Sequence, residues 1–251
     1  MNPVDPPGPA ALAARVDRPH PDPATAPTLV VPPDGPSLAP PGPGRPWRDV
    51  HRLVVVAPGP GGGPVTVATQ VSVRPDGPSA SFVAMVTGLG DRPVVLSELH
   101  LAAPRHGLEV RGSGLWAAHN CEDPFVHWSY GLEAFALVVD EPDELLGRGL
   151  GERIALGWEL ELETAGPAEV FDAGGYHQAG RGHGVVLVGH DEIELDGPAV
   201  RTHAWGRRRV PGDGVLDDGT PGQVTVALPD GVDVWSVTST AAGVRTGTGP
   251  L

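Results

Sequence analysis

The residues best suited to chemistry lie in two short stretches, Tyr176-His177-Gln178-Ala179-Gly180 and Arg201-Thr202-His203-Ala204-Trp205-Gly206-Arg207. Alternate positions of a strand share a face. Arg201, His203 and Trp205 therefore form one set, and Tyr176 and Gln178 another. If the two stretches pair as a hairpin around a Gly/Asp-rich turn at residues 190–197, Gln178 or His183 approaches Arg201 and His203 across the ladder. Histidine titrates nearest neutral pH, and an adjacent Arg lowers its pKa. A cluster of this kind holds a proton, polarises a carbonyl or braces a corner of the fold.

A second candidate surface is the segment Trp128–Val139. Trp128, Tyr130, Leu132, Ala134, Ala136 and Val138 form an apolar face. His127, Ser129, Gly131, Glu133, Phe135 and Leu137 form a face that begins polar and ends apolar. A strand running from the mouth of a cavity to its floor has this pattern, which makes His127 and Glu133 candidate ligand contacts. An ordinary solvent face ending in two apolar residues has it too. In Ile154–Glu163 the alternation is cleaner, so Glu159, Glu161 and Glu163 read as a solvated face opposite Leu156, Trp158, Leu160 and Leu162.

The ten His include no HxH, HExxH or paired-Cys arrangement, and no metal or cofactor is expected. His177 and His183 are roughly 20 Å apart along an extended strand, too far for one ion. Cys121, the single cysteine, has His119 and His127 nearby but matches no cysteine-enzyme signature and forms no intrachain disulfide. There is no G-x-S-x-G elbow, P-loop or dinucleotide fingerprint, and Gly59–Gly63 reads as a hairpin loop. The chain contains no Lys, which excludes Schiff-base chemistry.

The elements that must position these groups are strands. Half of the 30 prolines fall within residues 1–46, which read as a disordered Pro/Ala-rich tail. From Trp47 onward, apolar runs of strand length alternate with Gly, Pro and Asp turns. About eleven such runs, with no room for crossover helices, argue for antiparallel sheets closed as barrels or stacked as a sandwich. A short helical turn at Glu141–Gly151 marks an expected boundary between an N-terminal β lobe, 47–145, and a C-terminal β lobe, 146–251. A net charge of −14 argues against nucleic-acid binding. With no secretory signal and no apolar run long enough to span a membrane, a cytoplasmic location is expected. The sequence does not specify an oligomeric state.

The order Tyr176-x-Gln178-x-Gly180, Gly184, Gly197, then Arg201-x-His203-x-Trp205-Gly206-x-Arg208 resembles the middle signature of a two-lobed lipocalin-like family. This family includes carotenoid 1,2-hydratase (hydroxyneurosporene synthase) and AttH-type proteins. The likeness is local, over about residues 170–210, and Ala204 stands where Ser is usual. It implies two calycin-type β lobes and an apolar small-molecule ligand of isoprenoid or polyketide kind. It also implies acid–base hydration, isomerisation or cyclisation as an activity in secondary metabolism. On this resemblance His203 is the catalytic acid or base, oriented by Arg201 and Tyr176, and Gln178 and Trp205 touch the ligand. Two other readings stay open: a carrier that leaves its ligand unchanged, and a structural protein tethered by its tail.

Overall fold

The computed structural model describes residues 48–74, 79–90, 92–105, 107–139, 151–170 and 175–206, and the backbone of four further strands between 215 and 249. The Pro-rich tail, the expected helical turn around 141–150 and the Arg207–Arg208 end of the signature lie outside the described residues. Every regular element among those described is a strand.

Eleven strands make the main sheet: β1 (Arg48–Pro58), β2 (Pro64–Arg74), β3 (Ser79–Thr87), β4 (Val94–Ala102), β5 (Leu108–Gly112), β6 (Leu115–Asp123), β7 (His127–Val138), β8 (Glu152–Thr164), β9 (Glu169–Val170), β10 (Gly175–Val188) and β11 (Asp191–Gly206). Neighbours in the chain are mostly neighbours in the sheet. The first strand, β1, also pairs with the last, β11, from Arg48–Gly206 to Val55–Ala199. On the far side, β7 divides one edge between β6 and β4, the latter through Val94–Val138 and Val95–Leu137. Strands β1, β2, β3, β4, β7, β8, β10 and β11 thereby close an up-and-down ring, with β5 and β6 as a hairpin attached to it.

Period-two alternation decides what fills this ring. Leu53, Val55, Val65, Val67, Phe82, Val86, Trp128, Leu132, Leu156, Trp158, Leu160, Leu162, Val186 and Leu195 form one buried cluster drawn from the whole circumference. The expected alternation in Ile154–Glu163 holds, with Leu156, Trp158, Leu160 and Leu162 inside and Glu159 exposed.

One turn differs from its expected place. The β10–β11 hairpin turns at Gly189-His190, where Gly189 takes φ 65°, a left-handed conformation that suits glycine in a two-residue loop. The Gly/Asp-rich stretch 190–197 is therefore mostly ladder, not loop.

The boundary expected between residues 145 and 146 runs through one sheet: β7 and β8, on either side of it, pair from His127–Glu163 to Val138–Glu152. Beyond β11, strands β12 (Val215–Leu216), β13 (Gly222–Ala227), β14 (Val234–Thr240) and β15 (Gly243–Gly249) form a separate antiparallel sheet.

Candidate functional site

The ladders explain why the chemical residues meet. Opposed residues of antiparallel strands share a face. His51 opposes His203 and Asp49 opposes Trp205 across β1 and β11. Tyr176 opposes His203 and Gln178 opposes Arg201 across β10 and β11. Three adjacent strands thus present Asp49, His51, Tyr176, Gln178, Arg201, His203 and Trp205 to the barrel interior. All of these but Trp205 are buried. Trp128 and Tyr130 on β7, His119 on β6 and Thr69 on β2, the strand next to β1, complete the cluster. The groups collect at one end of the barrel, whereas the other end is lined by Val55, Ala57, Val65, Val67, Leu156 and Ile193.

The centre of the cluster is a carboxylate–imidazole pair. His203 Nε2 lies 2.8 Å from Asp49 Oδ1. His51 stacks on His203 with ring centroids 3.9 Å apart and an interplanar angle of 23°, its own Nε2 being 3.4 Å from the same oxygen. Arg201 donates to the Tyr176 hydroxyl and lies 3.7 Å above the Trp128 ring. Trp205 closes on His203 at 4.8 Å between ring centroids. Deeper in, His119 meets Thr69 Oγ1 at 3.2 Å and the Tyr130 ring at 4.9 Å.

Burial sets the protonation states. Loss of water pushes His203 down to about 3; the charge of His51 and, more weakly, Arg201 push the same way, while the hydrogen bond and charge of Asp49 oppose them. Burial likewise lowers His51, against the opposing pull of Asp49, and lowers His119 well below the usual histidine range. Burial alone would raise Asp49, but His51 and His203 hold it below the ordinary carboxylate value. The interior is then electroneutral: one carboxylate at Asp49, one guanidinium at Arg201, and uncharged imidazoles between them. Burial disfavours a proton on any of these histidines, and the Asp49 carboxylate partly offsets that cost at His203 and His51. An ionised carboxylate only accepts, so Nε2 of His203 carries the proton. Its Nδ1 is left as a buried lone pair with no hydrogen-bond partner, and Nδ1 of His51 and of His119 also lack one.

The expected cluster of Tyr176, Arg201, His203 and Trp205 is thus present, with different roles. Asp49 orients His203, while Arg201 is engaged with Tyr176 and Trp128. Gln178 is interior, but its amide nitrogen donates to the carbonyls of Phe125 at 2.7 Å and Gly166 at 3.2 Å. It ties the β6–β7 turn to β10. His183 opposes Asp196, far along the ladder from Arg201. His127 and Glu133 are on the outer face of β7, with Phe135 there 53% exposed; His127 pairs with Glu161 in solvent. They do not line the interior, because the apolar face of Trp128, Tyr130 and Leu132 takes that side. Ala204 is on the outer face beside Val50. A Ser hydroxyl there would point away from His203, so its absence costs the cluster nothing.

Asp49, His51 and His203 also bring one metal-type ligand atom each within 4.8 Å of one another. Two imidazoles bind one ion through lone pairs in their ring planes. Face-to-face rings direct those lone pairs side by side instead of to one point. The trio in this arrangement fits a proton relay better than an ion.

No protein-family model matches the chain, and no curated protein matches it. Solved structures do. The fold is similar to that of a protein described as an AttH from Nitrosomonas europaea, at 11% identity and a TM-score of 0.45, over 80% of this chain and 68% of that one. CghA, crystallised with Sch210972, is similar at 12% identity and a TM-score of 0.37, over 88% of this chain and 61% of CghA. The chain therefore spans less than two thirds of the length of CghA. Both likenesses concern the fold alone.

Proposed function

We propose that this protein binds an apolar small molecule, of isoprenoid or polyketide kind, in the barrel and moves a proton on it with His203. The observation that carries this reading is the Asp49–His203 pair, 2.8 Å apart, with the opposite ring nitrogen buried and unpartnered. A carboxylate that fixes the tautomer and orientation of a neutral imidazole is the arrangement of a general base. The proton passes from the ligand to Nδ1, and Asp49 stabilises the imidazolium that forms. Tyr176 and Arg201, beside it, supply hydrogen-bond donors for charge that develops on a ligand oxygen. Proton transfer of this sort serves isomerisation, hydration or cyclisation. Ligand polarity follows from the lining, with the polar end at the cluster and the hydrocarbon toward the valine-rich end.

A carrier that does no chemistry is the second reading. It is favoured by the packing of Arg201 between Trp128 and Tyr176, which is also how a barrel end is braced.

One experiment separates the two. A panel of isoprenoid and polyketide compounds is screened by native mass spectrometry, and bound compounds are incubated with the protein in D2O. Deuterium entering the compound with wild-type protein, and not with a folded His203→Ala variant that still binds it, supports the base. Binding without exchange in either protein supports the carrier. No binding across the panel sinks both and leaves the cluster as a brace.

A further inference from the structure

We propose that the turn Asp123–Val126 is the entrance to the barrel interior, with Phe125 as its gate and Gln178 as its latch. The proposal rests on the reading of the interior as a ligand site. His51, His203 and Tyr176 are buried, so a ligand reaches them only if part of the cover moves. Most strands of the ring are tied by long ladders, β4 and β7 only through Val94–Val138 and Val95–Leu137, and the far end is lined by apolar side chains. The end next to the cluster is covered, among the described residues, by the β6–β7 turn and Trp205.

Three features make that turn the part that moves. Phe125 has φ 62°, the only non-glycine residue with positive φ among those described. This conformation is unfavourable for a side chain and persists only when surrounding bonds hold it. Those bonds converge on one atom: the Phe125 carbonyl accepts from Gln178 Nε2 at 2.7 Å and from Thr164 Oγ1 at 2.6 Å. The Phe125 ring, half-buried, lies 5.5 Å from the Tyr176 ring at 47° and so shields the Tyr176–Arg201 contact from solvent. If Gln178 lets go, the strained residue relaxes toward ordinary φ and swings its ring off Tyr176. The two donors come from β8 and β10, which need not move, so opening exposes little surface. Gln178 thereby acts on the site without touching the reacting atoms, and is a positioning residue.

The test reads access, not turnover. Full-length protein is treated with diethyl pyrocarbonate, and carbethoxylation of each histidine is followed by peptide mass spectrometry. His190, exposed in the β10–β11 turn, is the reference. Phe125→Gly removes the ring, and Gln178→Leu removes the latch. Each is expected to raise the rate at His203 and His51 about tenfold or more relative to His190. In the wild type the His203 rate should barely change in low urea, because a local opening exposes little area, whereas a route through global unfolding rises steeply. Rates at His203 unchanged in both variants would overturn the gate. So would a wild-type His203 rate that follows global unfolding through urea, a result that stands even if the variants fold poorly. A protein that binds no ligand and exchanges no deuterium can still pass this test, so its outcome is separable from that of the proposed function.

Discussion

Asp49 and His203 stand 154 positions apart in the chain, and their side chains meet at 2.8 Å inside the barrel. Asp49 sits near the start of the first strand and His203 near the end of the last strand of the ring. The contact exists because β1 and β11 close that ring, with His51 opposite His203 and Asp49 two residues away on the same face. This relationship makes a direct prediction for nuclear magnetic resonance. The nitrogen shifts of His203 should report a neutral ring with the proton on Nε2, and the ring should remain neutral on acidification to about pH 4, since its pKa is pushed to about 3. A titration midpoint near 6.5 would contradict the buried dyad.

Stability should fall with acid sooner than carboxylates alone would require. His203, His51 and His119 all have lowered values in the folded state. Below about pH 6.5 the unfolded chain takes up protons that the folded barrel refuses, and each such histidine costs roughly 1.4 kcal/mol per pH unit. The loss runs from pH 6.5 down to the folded value, about 3 for His203. Asp49, whose folded value is lowered, adds a further loss only below its ordinary value of 3.8. Urea unfolding between about pH 8 and 4 measures the slope, and His203→Gln should make it shallower. A flat profile above about pH 5 would mean that these rings are solvated.

Arg201→Met should destabilise the barrel by about 1–3 kcal/mol, because it takes from the buried Tyr176 hydroxyl the guanidinium that donates to it. It also removes the guanidinium from the Trp128 face. Arg201→Lys should recover little, since an ammonium cannot both stack on the indole and reach the Tyr176 hydroxyl. Chemical denaturation reads both variants, and a loss under about 1 kcal/mol for Arg201→Met would mean that its contacts with Tyr176 and Trp128 do not hold the barrel end.

Gly184→Ala should cost more than about 2 kcal/mol. Gly184 has φ 143°, and a Cβ there would lie 2.0 Å from the Glu159 carbonyl oxygen of the adjacent strand. Gly61, in the β1–β2 loop, is the matched control, because a Cβ added there meets nothing within 4 Å. Its alanine variant should stay within about 0.5 kcal/mol of wild type. Equal melting temperatures for the two variants would mean that β8 and β10 can spread without cost.

His127→Ala and Glu133→Ala should leave ligand binding unchanged, because both residues are on the outer face of β7. His127→Ala removes a half-exposed pair with Glu161 and should cost no more than about 1 kcal/mol. A binding defect in either folded variant would place ligand on the outer face.

The alternation in Ile154–Leu162 names its buried face from sequence because one set of positions is wholly apolar. The Arg201-x-His203-x-Trp205 spacing is also legible, together with Tyr176 across the hairpin, since all are within about thirty positions along a two-strand unit. Asp49 and His51 are not. Asp49-x-His51 has the same alternation as Arg201-x-His203 and is the available signal. The partner of that signal is at the far end of the ring, and no local pattern announces which strands close it. The outer placement of His127 and Glu133 is hidden for another reason. Trp128, Tyr130, Leu132, Ala134, Ala136 and Val138 are wholly apolar and mark the inner face, but Phe135 and Leu137 at the end of the other face mask that signal.

The pairing of β1 with β11 also sets the order of events at birth. A ribosome adds about 5–20 residues per second, so the stretch from Asp49 to His203 takes roughly 8–30 s to emerge. Through that interval the open edge of β1 and its polar start wait in water, with His51 free to titrate as an ordinary imidazole. Only when the last strand of the ring arrives do the edge, the electroneutral cluster and the lone pair of His203 come into being, all at one moment. A nascent chain cut short before β11 would therefore be a sheet with a bare seam and no base at all.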